Sequence, residues 1–185
     1  MRHRGIALGI VIAASIARSQ ETPTQRDAAR DVVAKMSALQ REIDAAAWAA
    51  KLTAPNAMRD AVMARAKELM DKELLAMSDD ITRHPEIGFK ETRSVKILTD
   101  YLEAHDFVVT RGAAGLETAF VARYKRNNGK PVLGVIVEYD ALRGTERDFH
   151  GDQHSAQGPV GIAAAIAIAE HLAKSKLPGS VTVFG

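Results

Sequence analysis

From Gln25 to Lys51 the apolar residues Ala28, Val32, Met36, Leu39 and Ile43 return at steps of three and four between charged positions. That period gives one apolar stripe along an amphipathic helix, and packing against a neighbour is its expected role. Pro55 interrupts the pattern. A second periodic stretch follows through Val62, Ala66, Leu69, Met70, Leu74, Met77 and Ile81, again at helical spacing. Met58, Met63, Met70 and Met77 share that spacing, which favours core packing over a soft-metal site.

Thr92 to His105 predicts a third helix, with Val95, Leu98, Leu102 and a boundary His105 on one side. Beyond it the chain becomes β-branched and aromatic. Phe107 to Thr110 and Thr118 to Tyr124 read as strands, separated by the glycines of 111–115, and 127–131 reads as a turn. Val132 to Val137 is almost wholly apolar, the pattern of a strand buried on both faces at the centre of a sheet. Pro159 is placed to start a helix, and Val160 to Lys174 is apolar nearly throughout. Leu177-Pro178-Gly179 closes it before another apolar strand, Ser180 to Phe184. Strand, long loop, helix and strand form a βαβ unit, so the expected class is α/β with a partly parallel sheet, preceded by helices.

Composition narrows the chemistry. The 185 residues are 46% hydrophobic and 26% charged, which fits a globular chain with a packed core rather than disorder. There is no cysteine, which removes disulfides, thiol nucleophiles and Cys-ligated zinc. Any metal must therefore bind through His and carboxylates. The basic start Met1-Arg2-His3-Arg4, the apolar run from Gly5 to Ala17 and the small residues at Ala17 and Ser19 have the form of a signal peptide over 1–19. That run is too short for the roughly 20 residues of a membrane span. Export to the periplasm or outside the cell is expected, with no membrane attachment after cleavage. Cleavage would remove Arg2, Arg4 and Arg18, lowering the 25 basic residues to 22 against 23 acidic ones. The net charge moves from +2 to −1, so no nucleic acid partner is expected.

Candidate chemistry concentrates between the last two strands. Residues 138–158 hold two His, three Asp and two Glu directly after an apolar strand, a ligand set suited to hard or borderline divalent cations. In Asp152-Gln153-His154, an extended backbone would point both outer side chains the same way. A solvated loop with mutually satisfied charges remains open on these residues alone. The signatures G-x-S-x-G, Walker A, G-x-G-x-x-G and H-E-x-x-H are absent.

Five segments carry a resemblance in order and spacing: 84–92 (His-Pro-Glu-Ile-Gly-Phe-Lys-Glu-Thr), 115–122, Glu138-Tyr139-Asp140-Ala141-Leu142, His150-Gly151-Asp152-Gln153-His154, and 177–185. Together they resemble the aminoacylase/carboxypeptidase-type metallopeptidases, nearest the amidohydrolase branch that contains aminobenzoyl-glutamate hydrolases. The likeness runs from about Leu69 to Gly185. With the signal peptide at 1–19 and the N-terminal helical segment at 20–68 read from the residues themselves, the resemblance implies the N-terminal part of a di-metal catalytic domain at 69–185. It also implies two divalent metal ions, zinc or manganese, that activate a water against the amide bond of a small peptide or acyl-amino acid.

Carried over by position, Asp152 and His154 are the implied metal ligands, and Asp140 is the implied catalytic residue, acting by orienting a ligand. Asp152 stands where this branch has cysteine, exchanging soft sulfur for hard oxygen. Gln153 replaces a usual glycine, and Arg143 a usual proline. Glu138 and His150 match positions near the site without being ligands. The family's glutamate pair and further histidine ligands lie beyond the matched segments, and the resemblance implies a homodimer for the complete enzyme. The expectation is an incomplete, inactive N-terminal fragment of an amidohydrolase. The alternative is a non-catalytic binding or interaction module that keeps half of the fold.

Overall fold

A computed structural model describes residues 22–185; the signal peptide expected at 1–19 lies outside the described residues. Contacts divide the chain into two compact units, with the boundary between Ala54 and Pro55.

In the first unit, α1 (Pro23–Glu42) starts with a capping box. Thr22 Oγ1 accepts from Gln25 N at 3.2 Å, and the Gln25 side chain accepts from Thr22 N at 2.7 Å. Pro23 occupies the first turn, where an N–H has no helical partner. Asp44 then caps α2 (Ala45–Thr53) by accepting from Ala47 N at 2.9 Å. The single helix suggested by the 25–51 periodicity is thus two. Its apolar stripe is not packed: Val32, Met36, Leu39 and Ile43 are all exposed.

The second unit opens with α3 (Ala57–Leu69), a π-helical turn at Met70–Leu74 and α4 (Leu75–Arg83). The wider turn has a packing consequence. Leu69 and Leu74, five residues apart, are both fully buried, whereas α-helical spacing pairs Met70 with Leu74. Ile81 completes this buried row. Of the four methionines at helical spacing, Met70 and Met77 pack against the core, while Met58 and Met63 are exposed.

α5 (Thr92–Ala104) buries Val95, Leu98 and Leu102, and His105 caps its end with Nδ1 2.8 Å from the Tyr101 carbonyl. Its first turn is capped from a distance. Glu86 accepts from Arg93 N and Ser94 N, each at 2.8 Å, and from the Ser94 hydroxyl at 2.8 Å.

Four strands follow, β1 (Phe107–Arg111), β2 (Phe120–Tyr124), β3 (Val132–Ile136) and β4 (Ser180–Phe184), with α6 (His154–Lys174) between the last two. The sheet order is β1-β2-β4-β3. β1 and β2 are antiparallel, as are β2 and β4, whereas β3 and β4 are parallel with Gly134 opposite Thr182. The fold is therefore mixed α/β with a partly parallel sheet, and the βαβ unit is present.

One expectation fails at β3. It lies at the sheet edge rather than the centre, and Val132 and Ile136 are 61% and 69% exposed. Burying both faces of an apolar strand requires a layer on each, and among the described residues the helices cover one. On that face Val137, Val181 and Val183 join Phe120, Ala122, Tyr124 and the core of α5 and α6. α6 approaches the sheet so closely that a Cβ on Gly161 would lie 2.4 Å from Val137 Cγ1. No helix among the described residues is long and apolar enough to cross a membrane.

Candidate functional site

The site grows from the carboxyl end of β3, where an open α/β sheet places its functional loops. Alternation along Glu138-Tyr139-Asp140 separates the two carboxylates from a buried ring. Tyr139 is 5% exposed, and its hydroxyl donates to the Thr118 carbonyl at 2.5 Å. Gln157 of α6 holds the strand exit: its side-chain oxygen accepts from Glu138 N, and its Nε2 donates to the Ile136 carbonyl at 3.2 Å. One residue past Asp140, Ala141 N donates to the Glu86 carbonyl at 2.7 Å, which ties the loop to the 84–91 segment.

α6 begins at His154, five residues before Pro159, so the proline sits inside the helix. Gln153 precedes it in the left-handed region at φ +68°. Asp152-Gln153-His154 is therefore a turn into a helix, not the extended segment expected from its spacing. The two outer side chains still meet. His154 Nδ1 lies 2.6 Å from Asp140 Oδ1, while Nε2 lies 3.2 Å from Glu138 Oε2 and 3.4 Å from Asp152 Oδ2. A carboxylate can only accept, so Nδ1 carries the proton donated to Asp140, and Nε2 is aimed between Glu138 and Asp152.

The three expected site residues, Asp140, Asp152 and His154, are thus brought together. Glu138, placed near the site but outside the ligand set on sequence grounds, joins them. Its signal was an acid at the exit of an apolar strand. His150 stays outside this hydrogen-bonded set: both of its ring nitrogens are buried without a partner, and burial holds its pKa below that of ordinary imidazole. For His154, burial acts in the same direction but is outweighed by the hydrogen bond to Asp140 and the charges of Asp152, Asp140 and Glu138, so its pKa is raised.

Three carboxylates around one imidazole leave an excess of negative charge, which a cation would offset. The oxygen and imidazole donors suit a hard or borderline divalent ion. Their number and placement fall short of a complete site. Among the described residues no group of three or more His, Asp or Glu side chains is placed so that it could hold a metal ion. The chemistry fits a partial ligand set in which His154 has a carboxylate behind it, the usual support for a metal-bound imidazole.

A cavity of about 320 Å³ adjoins these carboxylates, with Glu138, Tyr139 and Asp140 on its wall. Its other side comes from the 86–91 turn and from Leu116, Thr118 and Ala119. The fixed element is Glu91, buried to 6% exposure, which accepts from Phe89 N at 3.0 Å and Thr118 Oγ1 at 2.6 Å. The spacing of 84–92 marked this segment without revealing that it forms a wall of the site.

Comparison with known proteins shows what the chain resembles. No family model matches the chain. A 123-residue stretch is 33% identical to a p-aminobenzoyl-glutamate hydrolase component of Escherichia coli (strain K12), covering 59% of this chain and 25% of that protein. The chain is similar to the M20 aminohydrolases and peptidases. The YXEP protein of Bacillus subtilis, described as a dinuclear metal binding peptidase from that family, shares the fold at TM-score 0.50 and 22% identity, over 63% of this chain and 35% of that one. A protein of methicillin-resistant Staphylococcus aureus, provisionally assigned as an aminohydrolase, does so at TM-score 0.57 and 19% identity, over 68% and 34%. The chain spans about a quarter of the length of the curated relative and about a third of these two structures.

Proposed function

We propose that this chain contributes the first part of the active site of a metal-dependent amidohydrolase or peptidase, acting on the amide bond of a small peptide or N-acyl amino acid. The observation that carries the reading is His154, clamped by Asp140 at 2.6 Å with its other nitrogen directed between Asp152 and Glu138. Asp152 and His154 would hold a divalent cation, zinc or manganese. When bound, such an ion polarises the scissile carbonyl and lowers the pKa of water. Asp140 fixes the imidazole tautomer and orientation by accepting the Nδ1 proton. Glu138 adds negative charge on the open side of the site, and buried Tyr139 holds the two carboxylates apart.

Two protein ligands fall short of the roughly four of a closed site. The described residues by themselves therefore support weak ion binding rather than turnover, and hydrolysis requires ligands supplied by further polypeptide, in the same chain or a partner copy as in a homodimer. The basic and then apolar start, Arg2 to Ala17, supports export of the protein.

Manganese titration of the full chain, followed by the loss of the free-ion electron paramagnetic resonance signal, tests the reading. Asp152→Ala and His154→Ala should each weaken binding by about tenfold or more, within the range for loss of a ligand or its support. Unchanged manganese binding in both variants would refute the ligand assignment. The same incomplete ligand set favours a second reading, a non-catalytic module that retains this part of the fold, and the absence of any manganese binding to the unsubstituted chain would select it.

A further inference from the structure

Along α1 the apolar side chains stand in water. Val32, Met36, Leu39 and Ile43 are 55–59% exposed, and Ala29 is exposed with them. From Ala29 to Ile43 these five residues follow one another at steps of three, four, three and four. Strict alternation of that kind has a period of 3.5 residues, which makes the narrow seam of a coiled coil rather than the broader face a helix turns to a globular core. The helix is continuous beneath it: α1 runs 20 residues from its capping box, with no glycine and with proline only at its first position. Its four basic and three acidic residues nearly balance, whereas a helix that lies on a membrane carries a strongly basic polar face.

The residues beside the seam select the partner and its direction. Lys35 precedes Met36 and Glu42 precedes Ile43, so the two charges lie one heptad apart on the same flank, while Val33 and Gln40 occupy the other. In two parallel copies opposite flanks meet, and Lys35 would face the partner's Gln40. In two antiparallel copies like flanks meet. With Met36 opposite the partner's Leu39 and Val32 opposite the partner's Ile43, Lys35 faces the partner's Glu42 and Glu42 faces the partner's Lys35. The pairing is self-complementary, as a two-fold interface requires. Lys35 also bonds Asp31 within the helix at 2.7 Å, and an ammonium has donors enough for both.

We propose that a second copy of this chain covers the stripe, through a two-stranded antiparallel coiled coil of α1 with Val32, Met36, Leu39 and Ile43 in its core and reciprocal Lys35–Glu42 ion pairs at its edge. A helix about 30 Å long is short for a coiled coil, so association depends on concentration and strengthens α1 as it forms. The interface lies outside residues 69–185, which carry the family resemblance, and it does not depend on the hydrolase reading.

Sedimentation equilibrium of the full chain tests this with two charge variants. Lys35→Glu makes both flank positions acidic and Glu42→Lys makes both basic, so each variant alone should associate about tenfold or more weakly than the unsubstituted chain. An equimolar mixture re-creates both ion pairs between unlike chains and should recover association to within about threefold of the original. Leu39→Asp should abolish association by placing a charge in the seam. Because the sequence has no cysteine, Met36→Cys and Leu39→Cys chains mixed under mild oxidation report direction: cross-links between unlike chains should exceed those between like chains. An unsubstituted chain that stays monomeric at high concentration, association that survives Leu39→Asp, or cysteine chains that cross-link with their own kind instead would overturn the proposal. So would a mixture of the charge variants that associates no better than either alone while both keep the helical circular dichroism of the unsubstituted chain.

Discussion

Large apolar side chains stand on both faces of the four-stranded sheet and have opposite fates. On the helix-covered face Phe120, Ala122, Val181 and Val183 are 0–1% exposed. On the other face Val108, Val132, Ile136 and Phe184 are 44–69% exposed. Composition separates them only in part: Thr110, Arg123, Ser180 and Thr182 lie on the open face, but beside large apolar side chains like those of the covered one. What separates them is the alternation of side chains along each strand and the presence of α5 and α6 on one side. Burial is a property of the pair of layers, and a strand's sequence records only that it tolerates burial.

That contrast can be tested in order of effect. Ile166→Ala, in the fully buried row of α6, should destabilise the chain by about 2–5 kcal/mol through lost contacts and a residual cavity. Urea unfolding should show a lower midpoint. Gly161→Ala places a methyl 2.4 Å from Val137 Cγ1 and should cost about 1–3 kcal/mol by overpacking. A change under about 0.5 kcal/mol would mean that α6 does not press on the sheet as described.

Next comes Glu86, which closes the first turn of α5 on the covered side. Burial raises its pKa, but bonds from the Arg93 and Ser94 N–H groups and the Ser94 and Thr92 hydroxyls outweigh this, and the net pKa is lowered. A lowered folded-state pKa gives stability that is present above the unfolded value near 4.3 and is lost as pH falls through the folded value. Glu86→Gln should cost about 0.5–2 kcal/mol at neutral pH, as for lost caps, and should flatten the acid limb of the stability profile. An identical acid limb in both proteins would remove Glu86 from that role. The smallest effect belongs to the open face. Ile136→Ala should change stability by less than about 0.5 kcal/mol, as at other exposed positions, and a loss comparable with that of Ile166→Ala would show that this face is covered in solution.

Much of the fold was readable because it rests on local rules. The strands after His105, the βαβ unit and the buried α6 follow from period, breaker residues and apolar run length. The boundaries that moved did so for specific reasons. α6 begins at His154 because Gln153 takes a left-handed turn that no pattern announces, and Pro159 is accommodated inside the helix. The π-helical turn at Met70–Leu74 brings Leu69 and Leu74 into one buried row at a spacing that α periodicity does not contain.

The candidate site divides in the same way. Asp140, Asp152 and His154 could be named because their types and spacing match a motif. The role of Glu138 and the wall formed by Gly88 to Glu91 could not, since Glu91 meets Thr118 across 27 positions of sequence.

By itself, the sequence determined most of the helical and extended segments, the α/β class and the candidate residues for a cation, because periodicity and side-chain chemistry are local. Tertiary structure decided which apolar face is covered, where β3 sits in the sheet, which carboxylate clamps His154 and that the segment from Gly88 to Glu91 walls a cavity beside it. Each of these depends on a second element reaching the first, and that pairing is a matter of three-dimensional packing rather than of any one segment.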